Sequence, residues 1–446
     1  MRVLNVAEKN DAAKGISLLL SNGHVNRRES HSKYNKIYQF DLTVPGLGQC
    51  AMSFTSVSGH LMNYEFDQTY KGWHSVPPSE LFTAPIYRQV TNADIAATLT
   101  DEARKANCLI IWTDCDREGE NIGDEIVSIC RQAKPGLDVK RARFSEITKA
   151  SVQRAIRTLL DGLDTNLSDA VDCRQQLDLR TGAAFTRLIT LHLRRSRSLA
   201  SVDHQGVVSY GSCQMPTLGF VVERYRERQQ FKSEPFWKLR SVSCLLELLA
   251  CWEFVCFIRS LHYFHVLKHT KDGQKTTFNW DRRRVFEKVV AESLLLDCLQ
   301  GSAQVTDMQQ KDKSRYRPKP LETVALEKAA SRKLRMTAKR AMAAAEKLYG
   351  KGIISYPRTE TDIFPKSLNL ERLVQAQTES PQWGAFAANI QPPQPRRGQN
   401  TDEAHPPIHP LKFVAPTTLP PDEKAVFEFV VSSSLFNDFV VAKSEF

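Results

Sequence analysis

A chain of 446 residues has room for two to four domains, and its 41% hydrophobic and 25% charged content excludes a protein dominated by low-complexity disorder. The 61 Lys and Arg against 50 Asp and Glu leave a formal charge of +11, which favours a polyanionic partner such as nucleic acid, with a solvated basic surface as the plainer reading. Ten scattered cysteines form no C-x-x-C pair and no Cys/His cluster at zinc spacing; with no secretory leader ahead of the first strand-like run, reduced thiols in an intracellular protein are expected.

Val3–Ala7 reads as a short buried strand, and a helix over Asp11–Ser21 follows it and ends at Asn22-Gly23. Cys108–Thr113 is a second strand. A helix over Glu118–Gln132, closed by Pro135-Gly136, leads to a third strand, Val139–Phe144. This rhythm predicts an α/β domain with a largely parallel sheet over residues 1–150. From Ser145 to Arg195 the pattern is helical, with cap candidates at Ser145–Thr148 and a long amphipathic run over Ala170–Leu193. Pro216–Arg224 begins another structured segment, and Asp272-Gly273 suggests a hairpin turn. Val242–Leu267 is apolar enough to resemble a membrane span. Glu247, Glu253 and Arg259 interrupt it, each costing about 2.5–3.5 kcal/mol near a bilayer centre, so no spanning helix is expected. Leu321–Leu334 and Thr337–Tyr349 read as two helices, the second with Met342, Ala345, Leu348 and Tyr349 on one face and Gly350 placed to end it. With Ile353–Tyr356 they fit a winged helix-turn-helix or a plain helical hairpin equally well. Pro392–Gln399 is a polar loop, no internal repeat occurs, and the absence of a P-loop argues against an ATP-driven motor.

Three stretches carry chemistry. Asp114-Cys115-Asp116-Arg117-Glu118 lies where a strand hands over to a helix, and open parallel sheets bind ligands at the carboxyl ends of their strands. Asp114 and Asp116 point the same way in extended backbone, Glu118 opens the helix, and Glu8 ends another strand. If the two strands are neighbours, four carboxylates share one edge. Two carboxylates about 5 Å apart repel by about 3 kcal/mol at an effective dielectric near 20. Mg²⁺ or a retained proton relieves that repulsion; a capped helix with solvated acids is the alternative. Lys9, beside Glu8, is either a phosphate-neutralising cation or a surface lysine. In Ser355-Tyr356-Pro357-Arg358-Thr359, Tyr356 can attack phosphorus with Arg358 as a fixed cation, or it is simply a half-buried strand-end tyrosine. In Ala404–Pro410 (AHPPIHP), prolines fix two histidines that can orient a phosphate or relay a proton, or that decorate a rigid turn.

Together these stretches resemble the type IA DNA topoisomerases. The resemblance runs through Val6–Lys14, Thr55–His60, Asp114–Asn121, Ala142–Thr148, Leu177–Arg187, Ser209–Glu223, Ile354–Pro365 and Ala404–Pro410. It implies a multidomain α/β chain: a Rossmann-like Toprim domain at 1–150, a helical single-strand-groove segment at 151–216, a strand-rich arch segment at 217–318, and a winged-helix-like domain carrying the tyrosine at 319–446. In the family these form a toroid, which here would be incomplete. The implied activity is ATP-independent, Mg²⁺-dependent breakage, passage and rejoining of single-stranded DNA through a 5′-phosphotyrosine, relaxing negative supercoils and resolving recombination intermediates in repair.

On that resemblance Glu8, Asp114, Asp116 and Glu118 are the metal ligands and Tyr356 is the nucleophile. Glu8 protonates the departing 3′-oxygen, Lys9 and Arg358 hold the phosphate, and His405 stands near the scissile group. Ser212, Gln214 and Thr217 line the DNA groove. A RecQ-type helicase and an OB-fold protein are implied partners, no membrane is involved, and the address is the nucleus, with a mitochondrial form as the other option. Two departures stand out. The chain stops at Phe446, where family members continue with segments that close the ring and often with a zinc-binding tail, and residues 243–266 have no counterpart in the family pattern. The competing readings are a non-catalytic form that binds single strands or a partner, and a Toprim-type phosphoryl hydrolase that leaves Tyr356 and His405 unexplained.

Overall fold

The structure, a computed structural model, describes residues 1–195, 206–243, 250–257, 269–271, 274–276, 281–300, 317–366, 368–390, 393, 395–402 and 405–436. They belong to two compact units, Met1–Ser212 with Ser314–Phe446, and Cys213–Lys313.

The first unit begins with β1 (Arg2–Ala7), α1 (Asn10–Leu20), β2 (Asn26–Arg28), β3 (Ile37–Val44), β4 (Gly48–Ser56), β5 (Met62–Phe66), α2 (Gln68–Lys71), β6 (Ile86–Val90), α3 (Ala93–Lys105), β7 (Cys108–Trp112), α4 (Arg117–Ala133), β8 (Asp138–Arg141), α5 (Lys149–Arg157), β9 (Leu160–Asp161) and α6 (Thr165–Arg195). A seven-stranded sheet runs in the order β2-β3-β4-β1-β7-β8-β9. Its middle, β4-β1-β7-β8, is parallel, and its outer pairings are antiparallel. The central strands are apolar on both faces, as strands covered on both sides must be. Val3, Ala7, Cys108, Ile110 and Trp112 face one core with α1 and α5, while Leu4, Val6, Leu109 and Ile111 face the other with α3 and α4.

The third strand is shorter than its expected span, Val139–Phe144. Its neighbour β7 ends at Trp112, so after Ala142 bonds Ile111 (3.0 Å) no strand remains to pair with. The helical reading of Ser145–Arg195 also breaks. The Thr148 side chain caps α5 as expected, but Leu160–Asp161 joins the sheet edge and Gly162 turns the chain at φ +74° before α6 starts. Residues 24–107, which carried no assigned element in the sequence reading, supply five strands and two helices.

The second unit holds α7 (Gln214–Gln230), β10 (Phe236–Ser243), β11 (Ala250–Phe257), β12 (His269–Lys271), β13 (Gln274–Thr276) and α8 (Lys288–Gln300). β12 and β13 pair antiparallel with Lys271 opposite Gln274, as the Asp272-Gly273 hairpin requires, although those two residues lie outside the described set. Of the atypical segment 243–266, residues 250–257 pair along the whole length of β10, and 244–249 and 258–266 lie outside the described residues. Among the described residues no helix is long and apolar enough to cross a membrane.

The chain re-enters the first unit with α9 (Thr323–Ala329), a π-helical turn over Ala330–Leu334, α10 (Ala338–Gly350), α11 (Leu370–Gln375), α12 (Gly384–Ala388) and α13 (Pro421–Phe436). Thr337 caps α10 through the Arg340 amide. Gly350 is the last residue of α10 rather than its terminator. The turn falls to Gly352 at φ +61°, where a Cβ would stand 2.6 Å from the Ile147 carbonyl oxygen. The expected strand after α10 is reduced to a single bridge between Ile354 and Pro410. Leu348, Tyr349, Ile354, Tyr356, Val430 and Val431 join the same core as Val3, Trp112 and Phe144, so the late segment packs directly on the first sheet.

Candidate active site

β1 and β7 are parallel neighbours with Ala7 opposite Trp112, so Glu8 and Asp114 leave the sheet at the same edge. The Asp114 amide donates to Glu8 Oε2 at 3.4 Å. Asp116 caps α4, its Oδ1 accepting from the Gly119 amide at 2.7 Å. The loop closes so tightly that a Cβ on Gly119 would meet the Asp114 carbonyl oxygen at 1.9 Å. Buried Arg141 fixes the turn from below. Its guanidinium donates to the carbonyls of Thr113 and Asp114 at 2.8 Å each and to Glu120 Oε1 at 2.9 Å.

Two tyrosines from the late segment sit on this loop. Tyr356 donates its hydroxyl to Asp116 Oδ2 at 2.6 Å, and Tyr349 donates to Asp114 Oδ1 at 2.9 Å. Their rings meet edge to face at 5.2 Å, and the Tyr356 amide donates to the Ser145 carbonyl at 3.2 Å. Tyr356 is 4% exposed and Asp114 7%, so a ligand from solvent reaches either only after this contact opens. Burial, then Glu8, pushes the Asp114 carboxyl up to about 8. Burial and the Asp114 and Asp116 charges hold the Tyr356 phenol far above its ordinary value, so the hydroxyl keeps its proton at neutral pH. His405 stacks on Tyr356 with ring centroids 4.3 Å apart. It is buried, neither ring nitrogen has a partner, and burial lowers its pKa to about 4, leaving a neutral imidazole whose nitrogens are open to a ligand. Asp402 ties the two loops together: Oδ1 accepts from the His405 amide and the Thr361 hydroxyl, and Oδ2 from the Thr359 hydroxyl and the Glu360 amide, at 2.8–3.2 Å.

Lys9 Nζ lies 3.5 Å from Glu8 and 3.9 Å from Glu346. Burial opposes the Lys9 charge, but Glu8, Asp114 and Glu346 outweigh it and raise the pKa. Arg358 donates to the same Glu346 at 3.1 Å through Nε. Glu8, Asp114, Asp116, Lys9, Tyr356, Arg358 and His405 are thus gathered. Glu118 is turned aside, accepting from Arg174 of α6 at 2.6 Å and meeting His60 Nε2 at 3.0 Å, while His60 Nδ1 meets buried Glu125 at 3.0 Å. These two carboxylates push the His60 pKa up to about 9, Glu118 contributing most. Among the described residues no three His, Cys, Asp or Glu side chains are close enough to hold a metal ion as they stand. The donor set of Glu8, Asp114 and Asp116 is nonetheless all oxygen, and burial together with the Glu8 charge drives Asp114 toward neutrality, a cost that a hard divalent cation would relieve. Of the three residues expected from the resemblance to line a groove, Ser212 is exposed with its hydroxyl 3.4 Å from that of Thr181. In the second unit, Gln214 opens α7 and Thr217 bonds back to the Cys213 carbonyl at 2.7 Å.

Sequence reasoning assigned no role to Arg141, Tyr349, His60, Glu125, Glu346 or Asp402. Glu118 and Glu125 are two turns apart on α4, a spacing that puts both on one face, and His60 closed a stretch already singled out. Arg141 acts largely through backbone carbonyls distant in sequence, and Asp402 through the Thr359–Thr361 loop and the nearby His405 amide; neither left a periodic signal.

A family model described as DNA topoisomerase matches residues 162–444, and one for the Toprim domain matches residues 3–147. The chain is 49% identical over 437 residues to DNA topoisomerase 3 of Caenorhabditis elegans, covering 96% of this chain and 54% of that protein. It is 49% identical over 436 residues to DNA topoisomerase 3-alpha of Homo sapiens, covering 96% and 40%, and 48% identical over 438 residues to the Drosophila melanogaster protein of the same name, covering 97% and 32%. The chain therefore spans about half, or less, of the length of these curated relatives.

Proposed function

The chain belongs to the type IA DNA topoisomerase family, and from that premise we propose that it cleaves and rejoins single-stranded DNA through Tyr356. The observation that carries this reading is the Tyr356 hydroxyl, hydrogen-bonded at 2.6 Å to Asp116 in the acidic loop of the Toprim sheet. In the forward step the phenol oxygen bonds to phosphorus, its proton passes toward Asp116, the P–O3′ bond breaks, and Glu8 gives a proton to the leaving 3′-oxygen. Lys9 and Arg358 stabilise the charge that develops on the phosphate, and neutral His405 offers a ring nitrogen to it. Asp114 and Asp116 would hold Mg²⁺, with Glu8 joining them once it has given up its proton and Glu118 once freed from His60 and Arg174; the ion would supply charge neutralisation at the phosphate. Rejoining is the reverse attack, so no ATP is needed. Ser212, Gln214 and Thr217 would guide the strand. The larger setting we propose is a nuclear, or alternatively mitochondrial, enzyme of recombination and repair, working with a RecQ-type helicase and an OB-fold protein to pass strands.

The test is to incubate the protein with labelled single-stranded DNA and Mg²⁺, denature it, and look for a protein–DNA adduct. Wild type should yield one, and Tyr356→Phe should yield none while still binding DNA. An adduct that persists in Tyr356→Phe, or none with wild type at high protein, rejects the reading.

A further inference from the structure

Lys9 and Arg358, the two cations assigned above to the scissile phosphate, already share one anion. Glu346 lies on α10, three residues before Tyr349. Its Oε1 accepts from Arg358 Nε at 3.1 Å and from a second nitrogen of the same guanidinium, and its Oε2 lies 3.9 Å from Lys9 Nζ. Lys9 stands at the N-cap of α1 and Arg358 follows the nucleophile, so one carboxylate joins cations from the two sides of the site. A carboxylate and a phosphodiester present the same feature to such cations, two oxygens sharing one negative charge; here Oε1 takes the Arg358 guanidinium and Oε2 faces the Lys9 ammonium. The side chains are 30% exposed for Glu346, 51% for Lys9 and 58% for Arg358, so these pairs can exchange for another anion without unpacking the core. Tyr356, by contrast, is buried.

We propose that Glu346 is a resident stand-in for the scissile phosphate. In the DNA-free protein it keeps Lys9 and Arg358 converged on one point, and an incoming phosphodiester takes its place on both. This inference rests on the topoisomerase reading of the site. The arrangement preorganises the two cations and makes DNA compete with a built-in anion. Removing the competitor strengthens binding, and two exposed ion pairs correspond to roughly three- to tenfold in affinity.

The test measures binding of a fluorescent single-stranded oligonucleotide by anisotropy in EDTA at fixed salt, so that no cleavage intrudes. Glu346→Gln should bind about three- to tenfold more tightly than wild type. The control is Glu29→Gln, which removes the same charge from a carboxylate that bridges Arg27 and Lys36 elsewhere in the unit; it should change affinity less than about twofold. In an Arg358→Gln background the gain from Glu346→Gln should shrink markedly, because the displaced partner is gone. An equal gain in the Glu29 control, a gain undiminished in the Arg358 background, or weaker binding by Glu346→Gln with unchanged melting overturns the proposal. The topoisomerase reading fails separately, through absence of the wild-type adduct with Mg²⁺, which this binding assay does not use.

Discussion

Gly119 and His60 are the single positions where local geometry makes the firmest demands. Any side chain at 119 strikes the Asp114 carbonyl, so Gly119→Ala should cost about 2–3 kcal/mol and abolish the adduct, as chemical denaturation and the cleavage assay would register. His60 has its pKa raised to about 9 from 6.5. Its contribution to stability is therefore complete below about 6.5 and fades as pH climbs through about 9. Unfolding free energies from urea titrations between pH 6 and 10 should fall for wild type by an amount on the order of 2 kcal/mol that His60→Gln does not lose. The residues proposed for the chemistry were legible as types in patterns: Asp114, Asp116 and Tyr356 each sit in a short run with a chemical reason for its composition. The residues that hold them were not. Tyr349 reads as one more apolar position on a helix face, and only the fold turns its hydroxyl to Asp114.

At the scale of elements, the acidic loop stands because β7, α4 and β8 are joined beneath it by one guanidinium. Arg141 is 1% exposed and its ion partner Glu120 is 2%. Arg141→Met would strand a buried carboxylate and release two loop carbonyls, a loss of roughly 3–5 kcal/mol that calorimetry should register. Adding Glu120→Gln should recover part of it, a recovery that an independent pair would not give. The elements most legible from sequence were β1, α1, β7, α4 and α10, each long or strongly patterned with a clear stop. β2 to β6 were missed because these strands are short or half-exposed, and their alternation is diluted by polar residues on the open side. The break between α5 and α6 was missed for a different reason. Leu160–Asp161 has no strand signature of its own and is recruited by the free edge of β8.

For the whole molecule, the proposed function gives the +11 charge and the acidic site separate tasks, and salt should tell them apart. If about four phosphates are engaged, affinity for single-stranded DNA should fall about fiftyfold between roughly 50 and 200 mM salt. The Tyr356→Phe variant should follow the same slope, because the buried phenol adds no charge to the encounter. The resemblance conveyed that two distant regions meet, but not which polar contacts join them. The Tyr356–Asp116 hydrogen bond is one of these stitches, and it lasts only while the phenol keeps its hydrogen. On the proposed reaction phosphorus takes that oxygen and its hydrogen passes to Asp116, so the phenol no longer donates. The hydrogen bond seen here could then not re-form while the phosphotyrosine lasts, and would return only after rejoining.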